Sequence, residues 1–339
     1  MKPTLKKTAL AAVTAGLLGA FVSSGAQASV LATSLIEQTN LLFSNADTGE
    51  ILDFNDDFGG NLTFTSTADT FVQLDGFGTD SGTATNPPTN PIDLPAICVG
   101  NGCNPILPNN TYPVLSGPAV GNYSAADQNE TGAPITGLPG FSDPATVNNA
   151  SYIGIDDISA TGSATANNNL NSSFVFTVTS PIAVQIDFDA TAYLEAFVSS
   201  DEEFPGFSTA AYNLDFSIAD LGAGGATVFD WAPDGQAGGI SGGTENSDPF
   251  TLNATVSLNA PLPGDINNTG GIHTVGTAST GFFSATTNVL TPGVLYQLSA
   301  RNTSEADAGR FAVPEPSTLA LLGLGFLGMG ATRMRRRKK

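Results

Sequence analysis

The sequence predicts an all-β chain, an antiparallel β-sandwich of jelly-roll or immunoglobulin-like type carrying one long Pro/Gly/Asn-rich insertion. Three observations carry that expectation. Apolar and polar residues alternate with a period of two from Phe174 onward; small and turn-forming residues are abundant, with 38 glycines and 21 prolines; and only 12% of residues are charged. One apolar side per strand is what two stacked antiparallel sheets require.

Taken in order, Ser29–Phe43 reads either as a helix or as a first strand, because a continuous apolar run does not separate the two. Leu62–Ser66 and Thr70–Leu74 are the next strand candidates. Residues 75–149 hold eleven prolines and few apolar runs of strand length, so they read as an insertion or flexible lobe. Strand signals resume at Ser151–Ile155. They become regular in Phe174-Phe176-Val178, Ile182-Val184-Ile186-Phe188, Tyr212-Leu214-Phe216-Ile218, Leu252-Ala254-Val256-Leu258 and Val294-Tyr296-Leu298-Ala300. Gly222–Gly243 reads as a second loop, centred on Trp231, the one tryptophan.

Both ends carry address labels. Lys2, Lys6 and Lys7 precede an apolar stretch, Thr8–Val22, and the small-x-small sequence Ala26-Gln27-Ala28 before Ser29. This is the pattern of a secretory signal peptide over residues 1–28, removed by signal peptidase. At the other end Val313-Pro314-Glu315-Pro316-Ser317 leads into an apolar run, 318–332, and a basic terminus with Arg333, Arg335, Arg336 and Arg337. Two prolines keep the motif extended. The run, as a helix rising ~1.5 Å per residue, reaches ~22 Å and spans a bilayer with help from its flanks. The basic cluster belongs on the cytoplasmic side, which puts residues 29–312 outside.

Between the labels two arginines, Arg301 and Arg310, face 30 acidic residues, a formal charge of −28, and all five lysines lie in the labels. Such a chain repels nucleic acid and anionic membranes and attracts cations. The two cysteines, Cys98 and Cys103, read as a disulfide in an exported chain, closing a short loop worth ~2 kcal/mol. The single histidine, His273, leaves no zinc ligand set, and no nucleophile-elbow motif accompanies it.

Candidate chemistry is sparse. Asp265-Ile266-Asn267-Asn268-Thr269-Gly270 begins like a calcium loop, with oxygen donors Asp265 and Asn267, and Asp53-Phe54-Asn55-Asp56-Asp57 begins likewise; neither ends in the glutamate of an EF-hand. Calcium is thus the expected ligand. Glu195, Glu202 and Glu203 are candidates for a glycosidase carboxylate pair. Trp231, beside Asp230 and Asp234, reads as a packing anchor of its loop or, alternatively, as a ring for stacking on a sugar. These signals favour a non-catalytic interaction protein over the alternative, a carbohydrate-active hydrolase on the same scaffold.

The three-part C-terminal label resembles the PEP-CTERM sorting signal of bacteria that make extracellular polysaccharide, over residues 313–339. The resemblance implies recognition of Pro314, Glu315 and Pro316 by a membrane protease, an exosortase. It also implies an inner-membrane-anchored precursor that passes to the cell surface or beyond, and it says nothing about the activity of the exported domain; extracellular polysaccharide is a candidate partner. Ser304-Glu305-Ala306-Asp307-Ala308 is similar, inexactly, to the motif that names one uncharacterised group of such proteins.

Overall fold

Two antiparallel sheets face each other in the computed structural model, which describes residues 29–86, 92–103, 108–156, 162–200, 206–259 and 271–310. The expected signal peptide, the sorting segment with its 318–332 helix, and the Asp265/Asn267 loop lie outside these residues. Among the described residues no helix is long and apolar enough to cross a membrane.

The first sheet has seven strands, in the order β12 (Gly243–Ser247), β14 (Gly271–Thr287), β8 (Val184–Ser200), β1 (Val30–Asn45), β6 (Ala145–Ile155), β5 (Tyr123–Thr131) and β4 (Ile92–Gly100). The second runs β11 (Ile240–Ser241), β10 (Ala226–Trp231), β9 (Gly206–Asp220), β15 (Leu295–Arg310), β7 (Gly162–Thr177), β2 (Thr63–Leu74) and β3 (Gly78–Asn86), and β13 (Asn253–Asn259) also pairs with β9. Ser29–Phe43, ambiguous in sequence, is strand: β1 lies at the centre of the first sheet, between β6 and β8.

The interior changes character along the strands. At one end it is aromatic. Phe43, Phe64 and Phe174 pack together, as do Phe188, Phe216, Phe283 and Trp231, with ring centroids 4.5–5.8 Å apart. At the other end the inward positions are small: Ala32, Ala126, Ala166, Ala196, Ala210, Ala306 and Ala308 are all buried. Between and among them, polar side chains of one sheet donate to backbone carbonyls of the other. Ser34 Oγ reaches Ala211 O at 2.6 Å and Ser124 Oγ reaches Thr165 O at 2.7 Å. Asn149 Nδ2 reaches Asn302 O at 3.0 Å and Ser151 Oγ reaches Ser304 O at 2.9 Å. Gln128 Nε2 reaches Asp69 O at 3.0 Å, and from the second sheet Asn168 Nδ2 reaches Asp127 O at 3.1 Å. A serine hydroxyl is too short to cross the ~10 Å that normally separates packed sheets. The small end is therefore pinched and the aromatic end splayed.

Two sequence expectations are corrected here. The segment 75–149 is no insertion: it supplies β3, β4, β5 and the start of β6, three of these being strands of the first sheet. The inward residues of β5 are Ser124, Ala126, Gln128 and Glu130, which no apolar alternation reveals. Gly222–Gly243 likewise contains β10 and β11. Trp231 is fully buried, stacks on Phe216 and donates Nε1–H to Glu245 Oε1 at 2.9 Å. It is a packing anchor, and a sugar cannot reach its ring.

Candidate functional site

Across β4, β5, β6 and β1 both faces of the first sheet are covered, and the outer cover comes from the segment expected to be a lobe. Reading across β4, β5, β6, β1 and β8, one outward row is Cys98, Ala125, Tyr152, Thr33 and Glu195. Next to it lie Leu35, Tyr123 and Ala150, buried in one apolar cluster with Tyr152, against which Tyr112, Leu115 and both cysteines pack. Residues 108–122 form a strap across this row. Proline at 108, 113 and 118 keeps the strap from adding to the ladder, so its backbone amides find side-chain acceptors instead. Asp127 Oδ2 accepts from Asn110 N at 2.8 Å, Glu195 Oε1 from Gly117 N at 2.8 Å, and Ser29 Oγ from Ala119 N at 2.7 Å. Thr33 Oγ1 donates to Leu115 O at 3.0 Å.

The expected disulfide is present. Cys98 and Cys103 are bonded, with Cα atoms 5.7 Å apart. The turn it closes needs glycine: Gly100 has φ +126°, and a Cβ there would sit 2.1 Å from Asn122 O.

Glu195, a candidate catalytic carboxylate, is buried beneath the strap, and Tyr193 O–H donates to its Oε2. Both oxygens therefore hold structure together. Its proposed companions Glu202 and Glu203 lie outside the described residues. His273 falls in β14, paired with Val198. Asp53 caps its own turn: Oδ1 accepts from Asn55 N at 2.8 Å and from Asp56 N at 3.1 Å, while Thr136 Oγ1 donates to Oδ2 at 3.2 Å. Those backbone bonds lower its carboxyl below the usual range. Among the described residues no group of three or more His, Cys, Asp or Glu is arranged to hold a metal ion.

Sequence reasoning missed an open groove of about 340 Å³ on the outer face of the second sheet. It crosses β3, β2, β7 and β15 and presents Asp69, Phe71, Asn167, Asn169, Arg301 and Glu305. Phe71 is 37% exposed. An apolar ring beside planar amide, carboxylate and guanidinium groups can stack on one sugar face and hydrogen-bond its hydroxyls. The only sequence signal was Phe71 at an outward position of β2.

Burial without cations marks the electrostatics. Asp127, 1% exposed, is pushed up to about 6 by desolvation, with Asp93 adding to it, despite the amide bonds from the strap. Asp248 is also raised to about 6 by desolvation, against amide bonds from Gly235 and Asp234. Desolvation raises Glu37, Asp215 and Asp307 too. A carboxyl with a raised folded pKa binds its proton more tightly when folded. Its contribution is therefore complete below the unfolded value and lost as pH rises through the folded one. For Asp127 and Asp248 that window runs from 3.8 to about 6. Thermal melts should thus show the protein gaining stability from about pH 7 to about pH 5. A melting temperature that falls steadily over that interval would contradict the reading.

A family model described as the PEP-CTERM protein-sorting motif matches residues 312–337. No curated protein matches the chain in sequence. Among solved structures, the infectious bursal disease virus VP2 subviral particle aligns at 12% identity over 85% of this chain and 81% of that one, with a TM-score of 0.10. T=1 particles derived from the same virus align at 12% identity over 86% and 80%, with a TM-score of 0.09. Likenesses at those scores carry no argument about fold or function.

Proposed function

The chain carries a PEP-CTERM sorting domain, which implies an exported, membrane-anchored precursor processed by exosortase, and from this premise we propose a non-catalytic surface or matrix protein that associates with extracellular polysaccharide. The observation that carries the reading is where the chain leaves the sandwich. β15 ends at Arg310, two residues before the matched motif, and Arg310 pairs with Gly206. A Cβ on Gly206 would meet both Val30 Cγ2 and Gly309 O, at 3.0 and 3.1 Å. The start of β1 and the end of β15 thus lie side by side at the pinched end. A precursor held by its sorting segment turns that end to the membrane and leaves the aromatic end and the outer face of the second sheet accessible. On that face the groove beside Phe71 has the chemistry for a neutral glycan; a uronate-rich polymer meets Asp69 and Glu305 and a strongly negative chain.

Two experiments test this. In a host with the protease, Glu315→Ala should leave a longer, membrane-held precursor; unchanged mobility and location of the variant would refute the sorting role. On a panel of polysaccharides the protein should retain a neutral polymer without releasing reducing ends, and Phe71→Ala should weaken retention by roughly tenfold, the loss of one stacking contact of ~1–1.5 kcal/mol. Release of reducing ends would support the hydrolase instead.

A further inference from the structure

The buried Glu130 lies where the pinched and splayed halves meet. It is 4% exposed, projects from β5 into the sandwich, and touches Ser66 of β2 and Ser172 of β7, both in the opposite sheet. Three residue-to-residue contacts close a ring: Ser66 Oγ to Glu130 Oε2, Ser172 Oγ to the carboxyl group of Glu130 (2.9 Å from both of its oxygens), and Ser66 Oγ to Ser172 Oγ at 2.7 Å. Each contact needs one proton between its oxygens. An ionised Glu130 leaves two hydroxyl donors for three contacts; if both serines donate to the carboxylate, Ser66 and Ser172 face each other lone pair to lone pair. A neutral carboxyl supplies the third donor. Ser66 then donates to Oε2, Glu130 donates to Ser172, and Ser172 donates to Ser66.

The surroundings agree. Charged residues on the neighbouring strands, Glu37, Asp69, Asp93, Asp127 and Arg301, occupy outward-facing positions, and the inward neighbours are Ile92, Val147, Gln38 and Asn302. Desolvation drives the Glu130 carboxyl up. Beside the ring is a cavity of about 20 Å³, room for one water; its walls are mostly apolar and its polar groups come from Gln38, Glu130, Ser172 and Asn302. Gln38 Nε2 and both amide atoms of Asn302, each residue at most 3% exposed, have no hydrogen-bond partner among the described residues. Unpartnered donors together with an unpartnered acceptor fit water, which can serve both, and not a cation, which the N–H groups would repel.

We propose that Glu130 is a neutral carboxylic acid closing a three-member hydrogen-bond ring between the sheets, with one water in the adjoining cavity, so that the sandwich is locked by a proton and loosened by alkali. Two readouts on the purified protein test it. At about pH 8 the infrared spectrum should contain a protonated-carboxyl band that Ser172→Ala shifts and Glu130→Gln removes. Glu130→Gln keeps a neutral donor and acceptor in place. The wild-type folding constant should therefore fall relative to the variant's, by up to tenfold per pH unit from about 4.5 to the folded value. Absence of the band from the wild type, or its persistence in Glu130→Gln, would overturn the assignment, as would parallel pH profiles. If the glutamine variant does not fold, the wild-type band and its shift in Ser172→Ala decide the question.

Discussion

Direct hydrogen bonds from side chains of one sheet to the backbone of the other set the geometry on which the rest of this molecule depends. Ser34, Ser124, Gln128, Asn149 and Ser151 reach across from the first sheet, and Asn168 and Ser208 reach back. The carbonyls they meet already serve the strand ladders and offer their second lone pair. The serine bonds in particular need the two backbones close together, which the small residues beside them allow. Leaving any of these polar groups unpaired in the interior would cost more than the bond itself contributes, which makes the separation at this end rigidly specified. The aromatic half, by contrast, is held by bulk and ring contacts.

That pinch has consequences outward. Sheets drawn together by short side chains bury little apolar area between them, and apolar area is the main favourable term in folding. The strap over the outer face of the first sheet supplies a second apolar layer around Leu35, Tyr123 and Tyr152. It is held by carboxylates accepting backbone amides, an arrangement suited to a domain with two basic residues and 30 acidic ones. The same scarcity of cations leaves Asp127 and Glu130 buried, and Asp248 half-buried, without a counter-charge and ties the stability of the sandwich to protons. β15 ends in the pinched half, at Arg310, two residues before the matched sorting motif.

The pattern of alternation was legible wherever one side of a strand is apolar and the other wet, as in Tyr212-Leu214-Phe216-Ile218 of β9. It failed for β5, whose inward residues are polar and whose outward residues are covered by the strap, so neither side stands out. It was ambiguous for β1 for a related reason: Leu31, Leu35, Ile36 and Val30 are buried on both faces. Trp231 read as a loop residue because glycines and aspartates flank it, and its burial depends on Phe188 and Phe216, far away in sequence. The cysteine pair was readable from spacing and compartment alone. The groove beside Phe71 is assembled from four strands, and no local window of sequence contains it.

Native-state hydrogen exchange, resolved by residue, distinguishes the two halves most directly. If the cross-sheet bonds set the structure, the slowest-exchanging amides will be those of the pinched half, in β6 near Asn149–Ile153 and β15 near Asn302–Ala308, opening only with global unfolding. Slowest exchange in the aromatic half, with the pinched strands opening first, would show that ring packing carries the fold and that the polar bonds merely accompany it.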